Sequence, residues 1–144
     1  MSNAPTVCDI DVYRDTPNKS HVLNWISKVE KRHKRSLAKF SACLRLLAKH
    51  GRHLNKAQAK RTQLDSHIYE LRPTYEGNAY RILYFFHGNS AVLCDAMLKK
   101  KDSEFNKAVN RSAKKRKKYL DSPSAYSSAN WQPYLSFREK FIGQ

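Results

Sequence analysis

Apolar positions change period several times along this chain, and each change marks an element. Cys8, Ile10 and Val12 alternate with Asp9 and Asp11, the period of a half-buried strand reaching Tyr13. Thr16-Pro17-Asn18-Lys19-Ser20 reads as a turn into a helix, with Ser20 as its N-cap. Val22, Ile26 and Val29, then Leu37, Phe40, Leu44 and Leu47, fall at helical steps interrupted only by His33. This predicts one long amphipathic helix, or two helices broken near Lys31-Arg32-His33-Lys34-Arg35. Gly51 stops it, after Lys49 and His50, two cations that suit the negative end of a helix dipole. Residues 52–63 are polar and basic, a loop that contains Lys60. Period two then returns. Strands are predicted over Leu64–Arg72, Ala79–His87 and Ser90–Leu98, with turns at Pro73–Asn78 and Gly88-Asn89. They form an antiparallel meander, which the strand at Asp9–Tyr13 can join as a fourth member. Asp102 and Ser103 start a last helix running to about Leu120, with Phe105, Ala108, Val109 and Ser112 on one side. After Asp121 the chain is Ser/Pro-rich and reads as loose. It ends in a stretch where Trp131, Leu135, Arg138 and Ile142 share a helix face that docks on its own domain. The class is α+β, without internal repeats.

The 144 residues suit one domain with a modest core. Charge changes the picture more than size does. The chain has 28 Lys and Arg against 12 Asp and Glu, a formal net of +16, which predicts an anionic partner and strong salt dependence. Nucleic acid is the first such partner; an anionic membrane or acidic protein competes. Ten of the bases crowd into Lys99–Lys118, against Asp102 and Glu104, and a basic RNA- or phosphate-binding helix face is expected there. Cys8, Cys43 and Cys94 are odd in number and far apart. With no leader-like N-terminus, they fit a reducing cytoplasm. No apolar run approaches the roughly 20 residues needed to cross a bilayer, so no membrane is expected. The six His and three Cys lack metal-ligand spacing, so neither a metal nor a cofactor is expected. Ser2-Asn3-Ala4 has the look of a cloning remnant and is left out of the fold reading.

Two arginines stand out. Arg72 and Arg81 flank the same predicted turn, so their guanidinium groups can converge as a phosphate clamp. Lys99, Lys100 and Lys101 close the neighbouring strand and can hold flanking backbone. A plainer reading competes: Arg72 shares strand parity with Glu70 and can simply pair with it. Tyr80, Ile82, Tyr84 and Phe86, at period two, read as core rather than as a base-stacking platform. His53 and His87 read as solvated loop residues more readily than as catalysts.

The order Lys60, LDSHIYELR, AYRILYFF, AVLCDAMLKKK and a basic helix ending KKRKKYL resembles the RelE/ParE toxin superfamily, most closely its HigB-like, phage-derived branch. The resemblance covers residues 8–120 and leaves 121–144 as an extension. It implies the RelE-like fold, a helical hairpin packed on a small twisted antiparallel sheet with a basic C-terminal helix. It also implies a type II toxin, a ribosome-dependent, metal-independent endoribonuclease that cuts mRNA and so inhibits translation. The implied partners are the ribosome, mRNA and a small helix-turn-helix, HigA-like antitoxin. ParE-like members poison a topoisomerase instead, so the alternative is a topoisomerase inhibitor or a non-catalytic nucleic-acid-binding module on the same fold.

Metal-free RNA cleavage uses the ribose 2′-OH as nucleophile, so the protein must orient it, neutralise the phosphate and move two protons. By resemblance Arg72 and Arg81 match the "LR" and "YR" arginines of RelE-like sequences. Lys99–Lys101 stand where those toxins place another basic group. The chain departs from the pattern in two places. Ile68 and Glu70 replace strand lysines, and Phe105 falls near the helix tyrosine of some members. HigB-like enzymes use His, Asp and Tyr more loosely, which makes His53, Tyr69, Tyr84 and Asp95 the proton-transfer candidates. With Lys60 and Arg111 on the RNA side, the expected site is Arg72, Arg81, Tyr84, Asp95 and His53 for catalysis, and Lys60, Lys99, Lys100, Lys101 and Arg111 for RNA.

Overall fold

A computed structural model describes residues 8–55 and 59–143; Ser2-Asn3-Ala4 lies outside them. The chain runs β1 (Asp9–Val12), α1 (His21–Arg32), α2 (Leu37–His50), β2 (Ala59–Arg61), β3 (Tyr69–Leu71), β4 (Thr74–Tyr75), β5 (Asn78–His87), β6 (Ser90–Leu98), α3 (Asp102–Asp121), α4 (Pro123–Tyr126) and α5 (Gln132–Phe141). Single 3₁₀ turns at Lys34–Ser36 and Gly51–His53 flank α2. An N-terminal helical hairpin thus packs on a small sheet, and a basic helix follows it.

Ser20 caps α1, its hydroxyl accepting from the Leu23 amide at 3.3 Å. The helix buries Val22, Ile26 and Val29 and stops at His33. α2 buries Phe40, Cys43, Leu44, Leu47 and Ala48, then ends at Gly51 with φ 55° and ψ −124°, a conformation that a side chain would strain. The two-helix alternative is therefore the one the chain adopts. Its break falls where His33 and the cations around it supply no apolar group to either helix.

The sheet order is β1-β6-β5-β3-β2, with β4 paired to the start of β5. Strands β2, β3, β5 and β6 run antiparallel. β1 lies parallel to β6, Ile10 opposite Ala91 and Val12 opposite Leu93, so the sheet is mixed. Alternation along Cys8–Val12 reports which face is buried, not strand direction. β5 is central and covered on both faces, which explains the unbroken apolar run Ile82–Phe86. A bulge between Leu83 and Tyr84 shifts the β5–β6 register there.

The two faces carry two cores. On one, the hairpin and α5 pack on Ile10, Val12, Leu71, Tyr80, Ile82, Tyr84 and Leu93. On the other, Phe105, Ala108, Val109 and Tyr119 of α3 pack on Ile68, Leu83, Phe85, Val92 and Cys94.

Three expected elements take a different form. The strand expected over Leu64–Arg72 is β3 alone. Residues before it make a turn in which the Asp65 carboxylate accepts from the His67 amide at 2.9 Å and the Thr62 hydroxyl donates to the Asp65 carbonyl at 2.6 Å. Asp-Ser turn chemistry overrides the apolar pattern there. Lys60 stands on edge strand β2, not in a loop. The tail is not loose: α5 buries Tyr134, Phe137 and Phe141. Leu135, expected on its docking face, is 40% exposed.

The tail also covers the outer edge of the sheet. The Tyr134 hydroxyl donates to the Ile10 carbonyl. The Ser128 hydroxyl donates to the Val12 carbonyl at 2.6 Å. These bonds occupy the edge that β1 would otherwise leave open. Among the described residues no helix is long and apolar enough to cross a membrane.

Candidate nucleic-acid interface

Strand parity gathers the first group of charges. Lys60, Glu70 and Leu83 are opposite one another across β2, β3 and β5, so they share the sheet face that α3 covers. Arg72 and Arg81 have the same parity as their strand neighbours Glu70 and Leu83. The result is a carboxylate between two guanidinium groups. Glu70 Oε1 lies 3.4 Å from Arg72 Nε and 3.3 Å from Arg81 Nε.

The three are not equivalent. Arg81 and Glu70 are buried, at 7% and 5% exposure, whereas about a third of the Arg72 side chain, 34%, is exposed. Burial lowers the pKa of Arg81, and the Glu70 charge opposes that shift. Its Nη1 donates to the Tyr80 carbonyl at 2.8 Å. Arg81 is therefore a buried partner of Glu70 and does not reach the surface with Arg72.

Above Glu70 lies a groove of about 300 Å³ with Lys60, Arg72 and Lys99 on its walls and Asp102 and Asn106 on its α3 side. Lys99 is fixed from both sides. Its amide donates to the Ala79 carbonyl at 2.8 Å, and its ammonium sits 4.6 Å from the Phe105 ring centroid. Phe105, read from the sequence as a departure from the family pattern, thus supports a groove lysine. Three cations around one recessed carboxylate can hold a phosphodiester, and the carboxylate can accept a proton from a neighbouring hydroxyl.

The other expected residues lie elsewhere. Asp95 is fully buried under α3, where Arg111 Nε donates to it at 2.9 Å, with Lys115 Nζ at 3.7 Å and His21 Nε2 at 3.4 Å. Burial would raise its pKa, but hydrogen bonds from His21 and Arg111 and the charges of Lys115 and Arg111 outweigh that and hold it at about 2. Asp95 and Arg111 thus form a structural ion cluster, with the carboxylate closed to substrate. Tyr84 is 1% exposed and faces the hairpin side, and burial raises its pKa. His53 is exposed beside Gly88 and Asn89, on a small depression that it shares with Arg52 and that neither Arg72 nor Arg81 lines. Lys100 and Lys101 are exposed at the start of α3, outside the groove.

The residue whose role the sequence reading missed is Glu70, read only as a surface partner for Arg72. Its parity with Arg72 was legible; its second guanidinium depended on β3 pairing with β5. Among the described residues there is no group of three or more His, Cys, Asp or Glu that could hold a metal.

Fold and charge together define a small basic α+β protein with an arginine- and lysine-walled groove on one face of its sheet. Residues 24–118, from within α1 to near the end of α3, match the model of the phage derived protein Gp49-like family (DUF891). The match spans more than half of the chain, which belongs to that family. No curated protein and no solved structure matches it.

Proposed function

We propose that this protein is the toxin of a type II toxin–antitoxin module, a RelE/HigB-like endoribonuclease that cuts mRNA on the ribosome without a metal. The observation that carries the reading is the groove in which Lys60, Arg72 and Lys99 surround the recessed Glu70 carboxylate. The order of motifs along the chain, from LDSHIYELR to KKRKKYL, supports the same reading.

In this mechanism Arg72 and Lys60 neutralise the non-bridging phosphoryl oxygens, where negative charge grows in the transition state. Glu70 takes the proton of the 2′-OH, and the 2′ oxygen bonds to phosphorus. The bond from phosphorus to the 5′ oxygen breaks, and Lys99 supplies that oxygen with a proton. The products are a 2′,3′-cyclic phosphate and a 5′-OH. Arg81 fixes the carboxylate without touching substrate. The partners that go with this reading are the ribosome, its mRNA and a small helix-turn-helix antitoxin.

The test is primer extension on a reporter mRNA in a purified translation system, with and without ribosomes. Discrete cuts that need ribosomes and leave 5′-OH ends are expected. Arg72→Ala and Lys99→Ala should each reduce the cutting rate about a hundredfold or more while the proteins stay folded. Uncut mRNA at every ribosome concentration would sink the nuclease reading. A second reading, a non-catalytic nucleic-acid-binding module or topoisomerase inhibitor, is favoured by one observation: Glu70 is already engaged by two guanidinium groups. It predicts intact message with arrested growth, and altered DNA supercoiling if a topoisomerase is the target.

A further inference from the structure

The hairpin-side face of the sheet carries a second cavity, which the cleavage mechanism leaves unused. It measures about 370 Å³ and lies between the 3₁₀ turn after α2 and strands β2, β3 and β5. Tyr84 forms its floor, with Tyr69 and Phe86 beside it. The Tyr69 and Phe86 rings meet edge to face at 5.1 Å. Two guanidinium groups sit on these rings: Arg52 at 4.3 Å from the Phe86 centroid and Arg61 at 5.5 Å from that of Tyr69. Arg61 Nε also donates to the Tyr69 hydroxyl at 3.0 Å. An adjoining depression of about 240 Å³ shares Arg52, Arg61, Tyr69 and Phe86 and adds His67 and Arg116.

Among the described residues no carboxylate lines either hollow. Among the described residues Arg52, Arg61 and Arg116 form no ion pair with a carboxylate, whereas Arg72, Arg81 and Arg111 each do. Three uncompensated guanidinium groups converge on half-buried aromatic rings. That combination suits a ligand with a flat π-face and an attached negative charge. A nucleotide has both. Its base can stack on an aromatic ring, and its phosphate can take guanidinium hydrogen bonds.

We propose that this cavity holds one unstacked base of a single-stranded RNA, with the adjoining phosphate on Arg52, Arg61 and Arg116. The choice of RNA rests on the endoribonuclease reading. Position supports the link, because Lys60 and Arg61 line both this cavity and the Glu70 groove. They are neighbours on edge strand β2, so their side chains leave it toward opposite faces. An RNA strand crossing that edge meets both sites, the scissile phosphate on one face and a neighbouring base on the other.

The experiment uses the full chain and a short fluorescein-labelled single-stranded oligoribonucleotide, read by fluorescence anisotropy, with a second oligonucleotide carrying 2-aminopurine. Phe86→Leu should weaken binding about tenfold and leave the salt dependence unchanged. Arg52→Gln should weaken it and flatten the salt dependence. Wild-type protein should quench 2-aminopurine at one position, and Phe86→Leu should abolish that quenching. Wild-type affinity in both variants, absence of measurable binding by the wild type, or equal competition by duplex RNA of the same length would each overturn the proposal. Should Phe86→Leu fail to fold, Arg52→Gln and the quenching decide. Quenching and loss of affinity in a protein that never cuts mRNA would leave the base site standing and remove the nuclease. Cutting with unchanged affinity in both variants would do the reverse.

Discussion

A carboxylate buried between two guanidinium groups is costly to lose, because its removal leaves a desolvated cation with no counter-charge. Glu70 is in that position toward Arg81. Glu70→Gln should destabilise the protein by about 3–5 kcal/mol in urea titration. Arg72→Ala, at a side chain about a third exposed, should cost no more than about 1 kcal/mol. Replacing both buried partners, Glu70→Leu with Arg81→Met, should cost less than Glu70→Gln alone, since the uncompensated charge goes too. A double variant that loses at least as much as the single would show that the pair does not bear on stability in this way. Asp95 makes a pH-dependent version of the same case. Its folded pKa, about 2, lies below the ordinary 3.8, so the ion cluster contributes fully above 3.8 and is lost as the pH falls toward 2. The difference amounts to about 2 kcal/mol. Asp95→Asn should remove that acid-dependent component and lower stability at neutral pH by a similar amount, about 2 kcal/mol, since Arg111 is half exposed and Lys115 keeps Asp15 as a partner. Stability of the variant and the wild type falling in parallel between pH 4 and 2 would contradict the assignment.

At the scale of elements, the tail is the clearest test of packing. Phe137 is buried with Tyr134 and Phe141 against the hairpin, while Leu135 faces solvent. Phe137→Ala should cost about 3–5 kcal/mol, and Leu135→Ala no more than about 0.5 kcal/mol, both read from urea midpoints. Equal effects would mean that α5 does not dock as described. Its sequence allowed two helical stripes, Trp131–Leu135–Ile142 and Tyr134–Phe137–Phe141, and periodicity alone does not rank them. The second is the buried one because its aromatics fill the space beside α2 and β1, which exists only once the sheet has formed; of the first, Trp131 and Ile142 pack partly buried on the same core and Leu135 faces out. The long elements were legible for the opposite reason. Hairpin helices and central strands carry enough periodic positions to identify themselves, as do the glycine at the end of α2 and the turn at Gly88. β2 and β3 have three residues each, too few for a period to register. The arginine clamp was half legible. Turn position brought Arg72 and Arg81 together in the reading, but only the depth of β5 within the sheet makes Arg81 a buried partner.

Across the whole molecule, the +16 charge does not act uniformly. Some cations are committed internally: Arg81 to Glu70, Arg111 and Lys115 to Asp95, Arg138 to Asp9. Others, such as Lys28 and Lys31 on α1, are exposed on the hairpin. If net charge alone drew RNA to the protein, removing any two exposed cations would weaken binding alike. If binding is localised at the β2 edge, the two pairs must differ, because only cations that displace counterions from the bound strand contribute to the salt slope. For single strands each such contact adds about 0.7 to the magnitude of the slope of log K against log salt. Arg52→Gln with Arg116→Gln should therefore reduce the slope by about 1.4. Lys28→Gln with Lys31→Gln, the same change in net charge, should leave it unaltered. Anisotropy titrations across a range of potassium chloride concentrations separate the two cases. Equal slopes for both pairs would return the binding to a diffuse field around the protein and take the β2 edge out of it.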